Sequence, residues 1–121
     1  MGERVYYVYE NGILWIAGYN HMIYLTQLIY IKPGQENVFD TFEAVAMPLI
    51  ARYRGQLLLR VRPDAAAVID GDTNPPYEIH LVSFPEQSDF EAFGKDPERA
   101  SFLHLKEASV DRIVLIKGIA I

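Results

Sequence analysis

The first stretch of alternating apolar residues surrounds a turn dipeptide. Residues 5–19, VYYVYENGILWIAGY, place aromatic and aliphatic side chains on both sides of Asn11-Gly12. Because Asn-Gly readily adopts the positive φ angles of a tight turn, this pattern predicts a β-hairpin. A more regular pattern follows, so we expect an N-terminal hairpin extension over residues 1–21 and one domain over residues 22–121.

The regular pattern begins with a strand and a helix. Residues 23–31, IYLTQLIYI, are rich in β-branched and aromatic residues, and Pro33-Gly34 then ends the strand. From residue 35 to residue 53 apolar residues recur at helical spacing, which predicts a helix with its last turns disturbed by Pro48 and its end at Gly55. The apolar stripe consists of Val38, Phe39, Phe42, Val45, Ala46, Leu49 and Ile50.

The rest of the chain predicts three further strands and two short helices. Ser88 to Glu91 has the form of a capping box, and Asp96-Pro97 has the form of a second helix start. The resulting order, βαββαβ, is that of the α+β ferredoxin-like fold, an antiparallel sheet with helices on one face. The strands are expected over residues 56–62, 77–84 and from 112 onward, and the helices over residues 88–93 and 97–109.

Neither face of the predicted sheet is polar. In the strand over residues 23–31 one alternating set is Ile23, Leu25, Gln27, Ile29 and Ile31, and the other is Tyr24, Thr26, Leu28 and Tyr30. An uncovered face of an antiparallel sheet normally carries polar residues, and the helices can cover only one face. We therefore predict that a second copy covers the other face, which gives a homodimeric α/β barrel, with the hairpin available for higher association.

Composition and charge narrow the classes of function. The chain has 121 residues, is 50% hydrophobic and carries a formal net charge of −5, which argues against nucleic acid or an anionic membrane surface as a partner. No apolar stretch approaches the roughly 20 residues that span a bilayer, and no signal pattern begins the chain, so a cytoplasmic location is expected. With no cysteine, disulfides, thiolate chemistry and cysteine-based metal sites are excluded.

Five segments of the chain are similar to a known family. They are YLTQLIYIKPG, PLIARYRGQLLLR, YEIHLVSFP, DPERASFLHLKEAS and IVLIKG, which lie within residues 22–118. Together they resemble the bacterial domain of unknown function 1330, part of the dimeric α/β-barrel superfamily. The resemblance implies the barrel fold and a function of the superfamily's kind, which includes cofactor-independent monooxygenases, muconolactone isomerase-like enzymes and haem-handling proteins.

Some positions follow the pattern of this family and others depart from it. Arg60 and Phe84-Pro85 stand where the family usually has an arginine and a Phe-Pro pair. The chain has Ser83 where the pattern tends to have glutamate, Arg99 where it tends to have tyrosine, and Lys106 in place of a later arginine.

Arg60 is the first candidate for ligand binding. It alternates with apolar residues along the strand over residues 56–62, so if those residues lie under the helices, Arg60 points toward the dimer interior. Its guanidinium could bind a carboxylate through two parallel hydrogen bonds. The alternatives are an ion pair with Glu78 or Asp111, or exposure at the end of the sheet.

Hydroxyl groups are expected to line the same cavity as Arg60. Tyr24, Thr26 and Tyr30 share one face of their strand, and Ser83 is expected to join them. Ligand sites commonly combine an apolar wall with a few such polar groups. Packing in a dimer interior explains the tyrosines equally well.

His80 is the third candidate, because an imidazole within a strand could act as a general base or hold a metal or haem. It shares a face with Glu78 and Phe84, and burial of that face under the helices would make His80 a hydrogen-bonded structural residue. The three histidines lack metal-ligand spacing, and Asp70-Gly71-Asp72 lacks the other ligands of a calcium loop. No metal or cofactor is therefore expected.

These observations lead to one hypothesis and two alternatives. The hypothesis is a homodimeric α/β-barrel protein that binds a small, partly apolar acidic metabolite near Arg60, as a cofactor-independent monooxygenase or isomerase. The first alternative is a non-catalytic binding or assembly module, in which the hairpin mediates association and side chains fill the cavity. The second is haem handling through His80.

Overall fold

The computed structural model describes residues 6–10, 13–17 and 22–121. The first two ranges are strands β1, Tyr6–Glu10, and β2, Ile13–Ala17, which pair in antiparallel orientation. The predicted turn residues Asn11-Gly12 lie outside the described residues. The N-terminal hairpin, its role in association and its separation from the following domain therefore stay predictions.

From residue 22 onward the elements follow the order predicted from the sequence. The four strands β3 to β6 form one antiparallel sheet in the order β4-β5-β3-β6, which confirms the ferredoxin-like α+β fold. The elements are β3, Ile23–Ile31; α1, Glu36–Leu49; a 3₁₀ turn, Ile50–Tyr53; β4, Gln56–Val61; β5, Glu78–Phe84; α2, Gln87–Gly94; α3, Pro97–Ser101; α4, Leu103–Ser109; and β6, Val110–Gly118. No helix in the described ranges has the length and apolar character that crossing a membrane requires.

Helix α2 begins earlier than the sequence predicted. The side chain of Asp89 accepts a hydrogen bond from the backbone N–H of Glu86 at 3.1 Å. The reciprocal capping interaction expected between Ser88 and Glu91 is thus shifted by two residues toward the N-terminus. Asp89 satisfies an amide at the helix start that would otherwise have no partner within the helix.

The helix predicted over residues 97–109 is divided into α3 and α4 at Phe102. The predicted start at Asp96 is confirmed, because its side chain accepts a hydrogen bond from the backbone N–H of Arg99 at 2.9 Å. Pro97 occupies the first turn of α3, where its missing N–H costs no helical hydrogen bond.

Gly55 connects the 3₁₀ turn to β4 at a point of close packing. Its backbone N–H donates to the carbonyl oxygen of Ile50 at 3.0 Å. A Cβ at this position would lie 2.5 Å from Phe84 Cε1 and 2.6 Å from Ile50 Cγ2. The residue with left-handed backbone is its neighbour Arg54, with φ 65°. Glycine is therefore required here by the close approach of Phe84.

The core lies between the helices and one face of the sheet. Alternate residues of β3 and β5 meet the apolar stripe of α1, and Phe84 packs against Phe90 and Phe93 with ring centroids 5.7 Å apart in each pair. The buried apolar residues are Ile23, Leu25, Ile29, Phe39, Phe42, Ala46, Leu49, Ile50, Val82 and Phe84.

The opposite face of the sheet, which we call the outer face, is also apolar. Residues Tyr24, Thr26, Leu28 and Tyr30 of β3 belong to it, together with their cross-strand neighbours. Two of its aliphatic side chains, Leu59 and Ile116, are 47% and 53% exposed. The described sheet therefore has no predominantly polar face, as the sequence predicted. That a second copy covers the outer face stays a prediction.

Candidate functional site

Strand β5 places two titratable side chains under the helices. Glu78 and His80 share the face of Val82 and Phe84, and Glu78 is fully buried with 0% exposure. His80 Nε2 lies 2.7 Å from Glu78 Oε1. The expectation that burial of Phe84 would also bury His80, with a hydrogen bond, agrees with this geometry.

The expected orientation of Arg60 is wrong. Arg60 lies opposite His80 on the helix side of the sheet, because the pairing of β4 with β5 shifts between Leu57 and Leu59. A bulge of this kind adds one residue and reverses the parity that simple alternation gives. Arg60 therefore donates two hydrogen bonds of 2.9 Å to Glu78, from Nε to Oε1 and from Nη2 to Oε2.

Arg62 extends this ion-pair network to the surface. Its Nη2 donates to Glu78 Oε2 at 2.7 Å and to Asp40 Oδ1 at 2.8 Å, and Tyr77 also donates to Asp40. Burial by itself would raise the pKa of Glu78, but hydrogen bonds from Arg60, His80 and Arg62 lower the pKa to about 2. Glu78 is thus a permanent buried anion at neutral pH.

Glu43 is a second buried carboxyl group beside His80. It belongs to α1, is 7% exposed, and its Oε2 lies 3.7 Å from His80 Nε2. Burial, followed by repulsion from the Glu78 carboxylate, raises the pKa of Glu43 to about 7. Glu43 can therefore both accept and donate a proton near neutral pH.

His80 is held as a neutral imidazole between the two carboxyl groups. Burial lowers its pKa, and this effect together with the charge of Arg60 outweighs the opposing attraction of Glu78. Because the Glu78 carboxylate can only accept, the nitrogen that faces it, Nε2, carries the hydrogen. Nδ1 is then the acceptor nitrogen of the ring.

Two cationic side chains from the third and fourth helices complete the site. Arg99 is half-buried between Phe42 and Phe93, with its guanidinium carbon 5.7 Å and 5.2 Å from the two ring centroids. Its Nε is buried and has no hydrogen-bond partner among the described residues, which costs about 1–3 kcal/mol for such a donor. Burial lowers the pKa of Arg99, and burial followed by the charge of Arg99 lowers the pKa of Lys106.

These groups meet at a cavity between the sheet and the helices. Its volume is about 50 Å³, enough for a few atoms of a ligand, and it is partly open to solvent. Most of its wall is apolar, and His80, Glu43, Arg99, Lys106 and Gln27 supply the polar groups. The apolar lining residues are Leu25, Ile29, Phe39, Phe42, Ala46, Met47, Ile50, Val82, Phe84, Phe90, Phe93 and Ile113.

The structure divides the predicted site residues between the two faces of the sheet. Arg60 and His80 lie on the helix side, whereas Tyr24 and Ser83 are cross-strand neighbours on the outer face. Tyr24 and Thr26 line an outer-face groove of about 490 Å³ beside the C-terminal residues 119–121. Tyr30 lines a separate groove of about 340 Å³, where Arg112 stacks on its ring at 3.8 Å.

The site contains side chains that could bind a metal ion, but positively charged side chains lie beside them. Oxygen and nitrogen atoms of Glu43, Glu78 and His80 lie within 4.8 Å of one another. However, both oxygens of Glu78 already accept hydrogen bonds from Arg60 and Arg62, whose positive charges would repel a metal cation. A haem does not fit the cavity volume, and His80 Nε2 is bound to Glu78.

Sequence reasoning missed Glu43, Arg99 and Lys106 as site residues. Glu43 could have been found, because it lies four residues after Phe39 and three before Ala46, within the apolar stripe of α1. A charged residue in such a stripe indicates a buried ionisable group. Arg99 and Lys106 are two of the positions at which the sequence departs from the pattern of the family that it resembles.

Comparisons with known proteins support the fold. No family model and no curated protein matches the chain. A structure of a Rhodopseudomonas palustris protein of unknown function is 14% identical, covers 84% of each chain and has a TM-score of 0.72. A proposed antibiotic biosynthesis monooxygenase from Bacteroides thetaiotaomicron is 14% identical, over 87% of this chain and 93% of that one, with a TM-score of 0.64.

A third similar structure is described as dimeric. This protein of unknown function with a ferredoxin-like fold, from Bacteroides fragilis, is 9% identical over 82% of this chain and 96% of that one, with a TM-score of 0.57. At these identities the likeness shows the ferredoxin-like fold alone. The resemblance to the domain of unknown function 1330 stays a prediction.

Proposed function

We propose that the chain is an acid–base enzyme that acts on a small, partly apolar acidic metabolite in the cavity between sheet and helices. The observation that carries this proposal is Glu43, a buried carboxyl group with its pKa raised to about 7, at an apolar cavity beside a neutral histidine. A general base is most effective when its pKa lies near the working pH. Glu43 is the group we assign as that base.

The reaction class follows from what such a base can do. In its ionised form Glu43 removes a proton from a carbon next to a carbonyl group, the C–H electron pair moves into the carbonyl, and an enolate forms. In a substrate with a C=C bond next to the deprotonated carbon, the enolate is a dienolate. Return of the proton to the far end of that dienolate moves the C=C bond and isomerises the substrate. A cofactor-independent monooxygenase begins with the same deprotonation, and O₂ is then its co-substrate. Proton abstraction is therefore the step we assign to this site.

Arg60, predicted from the sequence to bind the ligand, has a supporting role in this proposal. Two of its nitrogens are engaged by Glu78, and Glu78 in turn orients His80. Loss of Arg60 would therefore disturb the base through Glu78 and His80. Contact of Arg60 with a ligand remains a prediction, as do contacts by Tyr24, Thr26, Tyr30 and Ser83 in the outer-face grooves.

The proposed enzyme is a homodimer in which two outer faces cover each other. Exposed aliphatic side chains on this face, such as Leu59 and Ile116, support the proposal, and one structurally similar protein is described as dimeric. Burial of ~600 Å² of apolar surface would contribute on the order of 15 kcal/mol before the costs of association. Ligand contacts of the outer-face grooves would then be made inside the barrel.

Deuterium exchange from solvent tests the assigned step without knowledge of the natural substrate. The protein is incubated in D₂O with acetoacetate, oxaloacetate and 2-oxobutyrate, and incorporation of deuterium is followed by NMR. We expect faster exchange of at least one compound with the wild type than with Glu43→Gln, and the same rate with Glu107→Gln, which removes an exposed carboxylate of α4. No exchange above the buffer rate, together with titration of Glu43 near pH 4.5, would overturn the proposal.

A non-catalytic binding or assembly module is the second candidate function. The small volume of the inner cavity, about 50 Å³, favours it, since the larger grooves lie on the outer face. Native mass spectrometry of freshly purified protein separates the two functions. The module predicts an assembled species without a small molecule, whereas the enzyme predicts a dimer that can retain one.

A further inference from the structure

We infer that Arg99 and Lys106 form an anion subsite of the cavity, which takes a carboxylate group of the ligand. This inference rests on the proposed function and names the part of the cavity that would recognise the acidic group. The sequence had assigned that task to Arg60, which lies on strand β4 and forms an ion pair with Glu78.

Arg99 has a hydrogen-bond donor that no described residue uses. Its Nε is buried without a hydrogen-bond partner in the described part of the chain, while its Nη1 donates to the carbonyl oxygen of Gly94 at 3.3 Å. A buried donor on a charged group is rarely left without an acceptor. A ligand oxygen at the cavity would supply that acceptor.

The guanidinium group of Arg99 is held in position by aromatic rings. Arg99 packs between the rings of Phe42 and Phe93, and both rings line the cavity with it. Stacking on aromatic faces holds the planar group without using its N–H donors. An arginine held in this way loses little conformational freedom when it binds an anion.

The charged groups around the cavity also favour an anionic ligand. Among the described residues, Glu78 beside His80 and Asp96 near Arg99 are buried carboxylates. Arg60 and Arg62 already neutralise Glu78, and Arg52 pairs with Asp96. The remaining charged groups on the cavity wall are Arg99, Lys106 and the partly ionised Glu43. Two cations against at most one carboxylate leave an excess of positive charge, which an anionic ligand would balance.

The subsite defines the chemical class of the ligand. A planar carboxylate can accept two parallel hydrogen bonds from a guanidinium, and the cavity of about 50 Å³ admits such a group with few further carbons. The acidic C–H would then lie on the side of the ligand that faces Glu43. We therefore infer a short carboxylic acid, or the carboxylate end of a longer one that extends through the open side.

The experiment uses propionate as the probe and propionamide as its neutral isostere. Both are titrated into the wild-type protein while the side-chain Nε–Hε resonance of Arg99 is followed by NMR. We expect propionate to shift this resonance to saturation in the millimolar range and propionamide to leave it in place. No shift by propionate, or an equal shift by both compounds, would overturn the inference.

Two variants and a control measure the contribution of the guanidinium. Arg99→Met removes the charge but keeps an apolar side chain between Phe42 and Phe93, and we expect about tenfold weaker binding of propionate. Arg99→Lys, which keeps the charge without the planar donor pair, should give a smaller loss. The control variant Arg54→Met removes a surface arginine that forms an ion pair with Asp89. This variant should bind propionate like the wild type.

The same set of proteins separates this inference from the proposed function. Glu43→Gln should lose deuterium exchange and still bind propionate, because the subsite does not need the base. Unchanged propionate affinity in Arg99→Met would refute the inferred subsite. It would not affect the proposed proton-transfer step. Absence of exchange in every protein and titration of Glu43 near pH 4.5, with propionate still bound at Arg99, would overturn the proton-transfer step and leave the subsite in place.

Discussion

At the scale of single residues, Glu43 shows how burial creates a reactive group. Within the apolar stripe of α1 its carboxyl group is 7% exposed and meets the negative charge of Glu78. Both effects disfavour the ionised form, and they therefore raise the pKa of Glu43. A group of this kind destabilises the fold when it ionises, which is a measurable property.

We predict that Glu43→Gln removes a pH dependence from the stability of the protein. The pKa of Glu43 is raised from 4.5 to about 7, so its favourable contribution is complete below pH 4.5 and is lost as the pH rises toward 7. The shift corresponds to about 3 kcal/mol of unfolding free energy. Urea unfolding at several pH values should show this decline in the wild type and not in Glu43→Gln. Parallel curves for the two proteins would contradict the prediction.

Gly55 gives the second prediction at the residue scale. An added Cβ would lie 2.5 Å from Phe84 Cε1 and 2.6 Å from Ile50 Cγ2, both in the core. Gly55→Ala should therefore lower the unfolding free energy by about 1–3 kcal/mol. The matched control is Gly94→Ala at the end of α2, where nothing lies within 4 Å and the change should stay within about 0.5 kcal/mol. Equal stability of the two variants, measured by urea unfolding, would refute the close-contact explanation.

At the scale of secondary-structure elements, strand positions could be predicted and one strand's faces could not. The bounds of β3 agree with the sequence prediction, and those of β4 and β5 differ by one residue. Arg60 was nevertheless assigned to the wrong face, because the bulge between Leu57 and Leu59 has no signal in a run of three leucines. The alternation of residues along a strand predicts the face on which a side chain lies only where the strand pairing is regular.

The bulge also explains why the ion-pair network around Glu78 could not be predicted. It brings Arg60 over Glu78, which joins β4 to β5, and Arg62 then joins both strands to Asp40 of α1. Such contacts depend on three elements that are distant in sequence. The pairing with Glu78 was only one of the alternatives that the sequence left open for Arg60.

We predict that Glu78→Gln destabilises this junction of elements. The change leaves Arg60 and Arg62 without their shared carboxylate, and we expect a loss of about 3 kcal/mol at pH 7. Because the pKa of Glu78 is lowered from 4.5 to about 2, its contribution is complete above pH 4.5 and is lost as the pH falls toward 2. The difference in unfolding free energy between wild type and Glu78→Gln should shrink over that range.

Asp40→Asn is the matched control for Glu78→Gln. Asp40 belongs to the same network but its side chain is 37% exposed, so water can replace it as the partner of Arg62. The expected cost is below about 1 kcal/mol. A cost for Asp40→Asn as large as that for Glu78→Gln would show that burial does not govern the strength of this network.

At the scale of the whole molecule, the sheet has two apolar faces and the described subunit covers one of them. The sequence predicted this correctly, because alternating positions of β3 are apolar or aromatic on both faces. What sequence could not predict is that the proposed chemistry lies under the helices, in a cavity formed within one subunit. The proposed dimer and the proposed acid–base site therefore lie on opposite faces of the sheet, and each proposal can be tested without disturbing the other.

We predict that Ile116→Lys converts the proposed dimer to a monomer. Ile116 is 53% exposed on the outer face, and a lysine there would place charges of the same sign inside the covered interface, where desolvation opposes them. Native mass spectrometry should show a shift from twice the chain mass of 13.8 kDa to the single chain mass. Ala92→Lys, on exposed α2 in the helix layer, should leave the mass of the wild-type dimer unchanged. A wild type that is already monomeric, or an Ile116→Lys variant that remains dimeric, would rule out the outer face as the interface.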